Sequence, residues 1–246
     1  MVEQLPLQLV QPLRYSSSAY LLHRGVADVL SSLETLSYQR VFSLAYVQGG
    51  AKTGKTHLGV HLVGRLALKG KPARMVSRED MAEWYASELR SDPLRSGETI
   101  ILDDGDVLLR EISLTNQSGI FMDLTENLSQ VDGTLVILGN SAPEQIECTR
   151  QIRSRLNSGL FFGIEGPADS DLDPLLDLIT KQRGLQFSES KRAFILRRVS
   201  RTLPALVDCV EKVEEPRDLS SPCTSFDVLS EAVCQQPDMP PAVGRK

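Results

Sequence analysis

The stretch Gly49-Gly50-Ala51-Lys52-Thr53-Gly54-Lys55-Thr56 constrains the rest of the chain. It reads GxxxxGKT, a pattern whose glycines let backbone N–H groups wrap an anionic phosphate. The flanks have the order such a loop needs. Val41 to Val47 is an apolar run with strand character, and Thr56 to Leu68 carries Leu58, Leu62 and Leu66 at helical spacing. The helix N-terminus adds partial positive charge where the phosphate would lie. Lys55 is placed to reach the outer phosphates and Thr56 to hold Mg²⁺. The chain is therefore expected to be α/β, with a parallel sheet that carries the loop at its top.

A second motif supplies acids. Thr99 to Leu102 is apolar and runs into Asp103-Asp104, as a buried parallel strand does when it delivers carboxylates to a P-loop sheet. Asp103 would sit beside Mg²⁺, and Asp104 would orient or deprotonate an attacking water. Asp106 follows and could be a third acid, but it is expected in a loop beyond Gly105. Thr134 to Gly139 reads as another buried strand, ending at Asn140, which would face the γ-phosphate or the water, or else simply open the turn Asn140-Ser141-Ala142-Pro143. Arg153 and Arg155 lie just before a further apolar strand, Leu160 to Ile164.

Helices are expected over 26–36, 77–89 (with Ser77 as its N-cap) and 120–128, and a short strand over 73–77. Gly166-Pro167 breaks the chain, and helices over 171–183, 189–198 and 203–213 follow. Arg197, Arg198 and Arg201 cluster there, as a solvated face or as the source of one arginine for a bound nucleotide. From Glu214 the chain turns polar, with a last helix at 226–233 and a disordered end at 235–246. In the first residues, Gln4-Leu5-Pro6-Leu7-Gln8-Leu9 alternates leucines, as for an extended peptide laid in a groove or a disordered tail.

Across 246 residues the net charge is −5 and the pI near 5.3, which argues against broad coating of nucleic acid. The four cysteines form no CxxC pair, so they read as reduced thiols of a cytoplasmic protein. His57 and His61 read as helix-surface histidines. No apolar run has membrane length.

The order of these pieces resembles the DnaA/Hda branch of the AAA+ ATPases, its Hda members most closely, from the N-terminal tail to about Val233. The P-loop runs into His57-Leu58, as is common in that branch. Asp103-Asp104 matches its double-Asp Walker B. Asn140 holds the sensor 1 position. Ser154-Arg155-Leu156-Asn157-Ser158-Gly159 looks like its SR-(F/L)-x-x-G box, with Ser158 where the family has Trp. Ser200-Arg201-Thr202-Leu203 aligns with the sensor 2 segment. Gln4-Leu5-Pro6-Leu7-Gln8-Leu9 looks like the QLxLPL clamp-binding peptide, with Gln8 in place of a proline.

The resemblance implies four parts: a clamp-binding tail (1–12), an AAA+ αβα domain (13–165), a small α-helical lid (166–234) and a disordered tail (235–246). It implies ADP or ATP with Mg²⁺, bound by residues 49–57 (Gly49, Gly50, Ala51, Lys52, Thr53, Gly54, Lys55, Thr56 and His57) and by Arg201, with Thr56 and Asp103 on the metal. Arg155 would be an arginine finger acting in trans, beside catalytic Asp104 and Asn140. Gln4, Leu5, Leu7 and Leu9 would hold the DNA polymerase sliding clamp (β subunit). The implied function is negative regulation of replication initiation, by stimulating ATP hydrolysis in DnaA, with weak ATPase activity of its own. A homo-oligomer fits this reading. No helix-turn-helix is seen after the lid, so little direct DNA binding is expected. Two other readings remain open on the residues: a self-contained ATPase of helicase-loader type, and a nucleotide-gated adaptor with no catalytic effect.

Overall fold

A computed structural model describes residues 23–78, 81, 93–214, 229, 230 and 233. The candidate clamp peptide, nearly all of the helix expected after Ser77, Cys223, Cys234 and the segment 235–246 lie outside the described residues. In chain order the elements are α1 (Arg24–Ser37), β1 (Ser43–Gln48), α2 (Lys55–Leu68), β2 (Ala73–Val76), β3 (Thr99–Leu102), α3 (Gly105–Leu114), α4 (Ser118–Gln130), β4 (Thr134–Gly139), α5 (Arg150–Ser158), β5 (Leu160–Gly163), α6 (Leu172–Gln182), α7 (Glu189–Leu196) and α8 (Leu203–Glu214).

The strands form one sheet in the order β2-β3-β4-β1-β5, every pair parallel. Every residue of β3 and β4 is buried. That explains their apolar run after the opening Thr99 and Thr134: a strand covered on both faces has no polar side to show. Side chains alternate between the faces. Leu44, Tyr46, Ile100, Leu102, Leu135 and Ile137 pack with buried residues of α3, α4 and α5. Ala45, Val47, Ile101, Val136 and Leu138 pack with α1 and α2. A third apolar cluster joins α6, α7 and α8, with Leu176, Ile195, Leu206 and Val210 at its centre and Leu229 and Val233 against it. It shares no buried residue with the two sheet clusters.

Two helices run where none is expected from the sequence. α3 begins at Gly105 directly after the acids, so Asp106 stands in a helical first turn and not in a loop. Gly105 looks like a turn signal, but here it serves close packing: a Cβ there would lie 2.3 Å from Ile137 Cγ2. α5 takes up the arginine stretch, burying Ile152 and Leu156 four residues apart. β5 is an edge strand whose Leu160 and Phe161 are about half exposed, with Phe161 stacked on Tyr46.

Candidate nucleotide site

The P-loop springs from the centre of the sheet. Gly49 N donates to Gly139 O at 3.1 Å and Ile164 N to Gln48 O at 2.8 Å, so the loop's root is tied to the ends of both neighbouring strands. Gly54 caps α2 in the left-handed region at φ 94°. A Cβ on Gly49 would sit 2.6 Å from Thr53 Oγ1, so the loop leaves no room for a side chain at its first position. Lys55 is 6% exposed. Its ammonium donates to Gly49 O, Gly50 O and Asn140 Oδ1, each at 2.8 Å. Burial lowers its pKa, and the carboxylates of Asp104, Asp103 and Asp106 oppose that shift.

The two residues proposed for the metal lie side by side: Thr56 Oγ1 donates to Asp103 Oδ2 at 2.8 Å. Burial pushes the Asp103 carboxyl above its usual range. Its other oxygen, Oδ1, is buried with no hydrogen-bond partner among the described residues. A buried carboxylate with a spare oxygen beside a hydroxyl is a fitting donor set for a hard cation. Among the described residues no group of three or more His, Cys, Asp or Glu could hold a metal alone. Thr56 and Asp103 therefore suit Mg²⁺, which keeps few protein ligands and shares the rest with phosphates and water.

A cavity of about 430 Å³ opens beside the loop, within the usual range for a small-molecule site. Ala51 to His57, Asp104 and Asn140 form one part of its lining; His23, Leu175, Ile179, Arg183, Leu203, Val207 and Glu211 belong to the rest. The helical cluster is tied to the loop by charge. Lys52 bonds Asp208, and Glu211 at 2.5 Å; Glu211 also accepts from Arg183 at 2.9 Å, and Glu214 accepts from Arg183 at 2.6 Å. Lys52 and Asp208 are close to half exposed, so water screens their pair.

Three expectations change here. Arg201 does not line the cavity. It stands exposed in the turn before α8 and pairs with Asp169. The arginine in the lining is Arg183, only 10% exposed, at the C-cap of α6. In the sequence it looks like an ordinary basic helix end. Asp106, expected in a loop, is 7% exposed in the first turn of α3, and its Oδ2 accepts from Asn140 N and Ser141 N, both at 3.0 Å. It braces the loop that holds Asn140. His57 is half-buried on the cavity wall and not on the helix surface, and burial lowers its pKa.

His23 was not singled out by its sequence context. It is 5% exposed, and burial lowers its pKa from the ordinary 6.5, with Asp171 opposing. A histidine held neutral in the native state takes up its proton more readily when unfolded. Its contribution is therefore intact above pH 6.5 and is lost as pH falls through that value. Thermal unfolding is expected at lower temperature near pH ~5.5 than near pH ~7.5, and His23→Asn should flatten that dependence. An unchanged slope in the variant would assign the acid sensitivity elsewhere.

The second arginine site is separate. A groove of about 740 Å³ is lined by Met122, Thr149, Arg150, Gln151, Ser154, Arg155 and Ser158, none of which lines the first cavity. Arg150 and Arg155 are exposed, and neither guanidinium has an ion pair among the described residues. Arg153 differs: it donates to Pro143 O and Ile146 O and fastens α5 to the preceding turn.

No protein-family profile matches the chain. The chromosomal replication initiator protein DnaA of Thermus thermophilus, in two strains, is 24% identical over 178 residues, covering 68% of this chain and 40% of DnaA. The chain thus spans about two fifths of the length of the curated relatives it matches. Domain III of the Thermotoga maritima DnaA superposes with a TM-score of 0.65 at 16% identity, covering 89% of this chain and 97% of the domain. AMPPCP-bound DnaA from Aquifex aeolicus gives 0.60 at 15% identity over 81% of this chain and 65% of that one. A RuvB chain of Thermotoga maritima gives 0.54 at 13% identity over 85% and 67%. The parallel sheet with its P-loop at the top is therefore an AAA+ fold. Its sequence is similar to that of DnaA over 178 residues, and its fold to that of DnaA domain III.

Proposed function

We propose that this chain binds an adenine nucleotide and regulates replication initiation negatively, by stimulating ATP hydrolysis in DnaA through Arg155. The observation that carries the second half is Arg155 itself: an exposed guanidinium with no ion pair among the described residues, in an open groove that shares no residue with the chain's own nucleotide cavity. Such a group is free to enter a neighbour's site.

In its own site, Lys55 and the loop amides bind the phosphates, exchanging the acceptors Lys55 now has for phosphate oxygens. Bound Mg²⁺, held by Thr56 and Asp103, would neutralise phosphate charge. Asp104 and Asn140 face the same cavity, where they can orient a water and the terminal phosphate. Lys52, Arg183 and Glu211 couple the helical cluster to the loop, so nucleotide binding and closure of that cluster are linked. DnaA solved with AMPPCP supports an adenine nucleotide here. On this reading residues 13–165 form the nucleotide-binding domain and 166–234 its lid. Residues 1–12 are the clamp-binding tail, which raises the local concentration of Arg155 at sites of DNA synthesis.

The test is reconstitution: the purified chain, sliding clamp loaded on DNA, and DnaA charged with labelled ATP. Conversion to ADP-DnaA only when chain and clamp are both present is expected. A rate that ignores the chain sinks the proposal. For the tail, Gln4→Ala with Leu5→Ala should remove retention on immobilised clamp while nucleotide affinity stays within about twofold. Retention equal to wild type would rule out that peptide.

A second reading keeps the chemistry in one chain, because Lys55, Thr56, Asp104 and Asn140 already line one cavity. It expects sustained ATP turnover by the isolated chain, unaffected by DnaA.

A further inference from the structure

Lys52 holds a backbone conformation that its residue type does not favour. It stands in the left-handed region at φ 58°. The other non-glycine residues in that region, among the described ones, are Asp104, Asn116 and Asp132. Asp and Asn tolerate it through their short polar side chains. Lysine has no such compensation, and glycine would fit the same turn freely. What the lysine gives in return lies at the far end of its side chain.

That end reaches α8. The ammonium donates to Asp208, and to Glu211 at 2.5 Å, residues 156 and 159 positions further along the chain. Lys52 and Glu211 line the nucleotide cavity from opposite elements, the loop and α8, whereas Asp208 is not part of the lining. The three side chains are between 35% and 46% exposed, so the clasp they form lies at the rim of the cavity and not in its depth. Glu211 is steadied from behind by Arg183, which also holds Glu214. Asp208 has no second ion-pair partner among the described residues.

A rim ion pair is worth only a few-fold in an equilibrium. A ligand behind it must nevertheless wait for it to open, both on entering and on leaving. This separates two roles by kinetics. A side chain that touches the bound nucleotide changes its release and hence its affinity. A clasp between two parts of the protein changes entry and release together, and their ratio stays nearly constant.

We infer that Lys52 is a rim clasp which, by pairing with Asp208 and Glu211, sets the rate at which nucleotide enters and leaves this site. The inference rests on the nucleotide reading of the cavity and adds what controls exchange there. Because the pairs are open to water, salt loosens the clasp, and exchange is faster at high ionic strength.

The experiment follows ADP carrying a fluorescent ribose label by stopped flow, in association and in displacement, for wild type, Lys52→Gly, Asp208→Asn and the double variant. Lys52→Gly, which suits the left-handed turn, should raise both rates about fivefold and keep the dissociation constant within about twofold. Asp208→Asn should raise both about twofold. This substitution lies outside the cavity lining and leaves the loop sequence intact, so it tests the clasp even if the loop variant misfolds. The double variant should match Lys52→Gly, since without the ammonium Asp208 has nothing to hold. At about 1 M salt the gap between wild type and Lys52→Gly should close to within about 1.5-fold. If labelled ADP does not bind wild type, the nucleotide reading fails and the clasp falls with it. If it binds, and Lys52→Gly speeds release alone with affinity lost in step, Lys52 is a nucleotide contact and not a clasp. Rates within about 1.5-fold of wild type in both single variants would also overturn the inference.

Discussion

Arg155→Ala is expected to abolish stimulation of DnaA ATP hydrolysis, with a loss of about three orders of magnitude or more in the stimulated rate. The scale is that of an arginine finger supplied in trans to a GTPase. The chain's own fold and nucleotide affinity should stay within error. α5 is held by Ile152 and Leu156, both at or below 4% exposure, and by Arg153, whose guanidinium bonds the carbonyls of Pro143 and Ile146. Arg155 contributes to none of this, so its removal leaves the helix in place. Arg155→Lys should fail almost as fully, because a point charge cannot copy a planar fork of donors on a phosphoryl group. Arg153→Ala separates position from chemistry: it should lower the melting temperature, which Arg155→Ala does not. The measurement is single-turnover conversion of labelled ATP on DnaA with clamp-bound protein in excess. A rate with Arg155→Ala within threefold of wild type would remove the trans-finger role.

What the sequence disclosed follows from which interactions are local. The sheet was legible because β3 and β4 are buried on both faces and so are apolar apart from their opening threonines, and because the P-loop's glycines are demanded by its own backbone. Lys55, Thr56, Asp103, Asp104 and Asn140 converge for the same reason: the acids and Asn140 lie just beyond the ends of β3 and β4, the P-loop leads from the end of β1 to Lys55 and Thr56, and those strand ends share one edge of the sheet. What was hidden depends on packing between distant segments. Gly105 reads as a turn until Ile137 is seen pressed against it. Arg183 reads as a helix end until Glu211 and Glu214 draw it to the cavity side of α8. Arg201 aligned with a nucleotide-sensing position, but it precedes α8 and its partner, Asp169, lies in the turn before α6. Nothing in the residues around His23 marks it. Only the fold brings it to the same cavity as Leu175 and Leu203, about 150 residues or more further along the chain.

Asp106→Ala is expected to cost about 3 kcal/mol of stability, because two part-buried backbone N–H groups lose a charged acceptor at once. For a chain of this size that corresponds to a melting temperature lower by about 6–12 °C. The consequence should reach the nucleotide site. Asp106 holds the Asn140-Ser141 turn from one side, while Tyr46 Oη donates to Ser141 O at 2.7 Å from below. With one anchor gone, Asn140 is no longer set against Lys55, whose ammonium it accepts from at 2.8 Å. Nucleotide affinity should therefore fall about tenfold beyond what partial unfolding explains, and the loss should be shared by ADP and pyrophosphate, since the misplaced groups face phosphate. Asp106→Asn keeps an oxygen for the two N–H groups and should cost less than half as much. Tyr46→Phe removes only the second anchor and should cost about 1 kcal/mol. The check is a thermal melt with nucleotide titration on all three variants. If Asp106→Ala melts within 2 °C of wild type, the buried carboxylate does not hold that turn, and Asp106 returns to consideration as a third acid of the site.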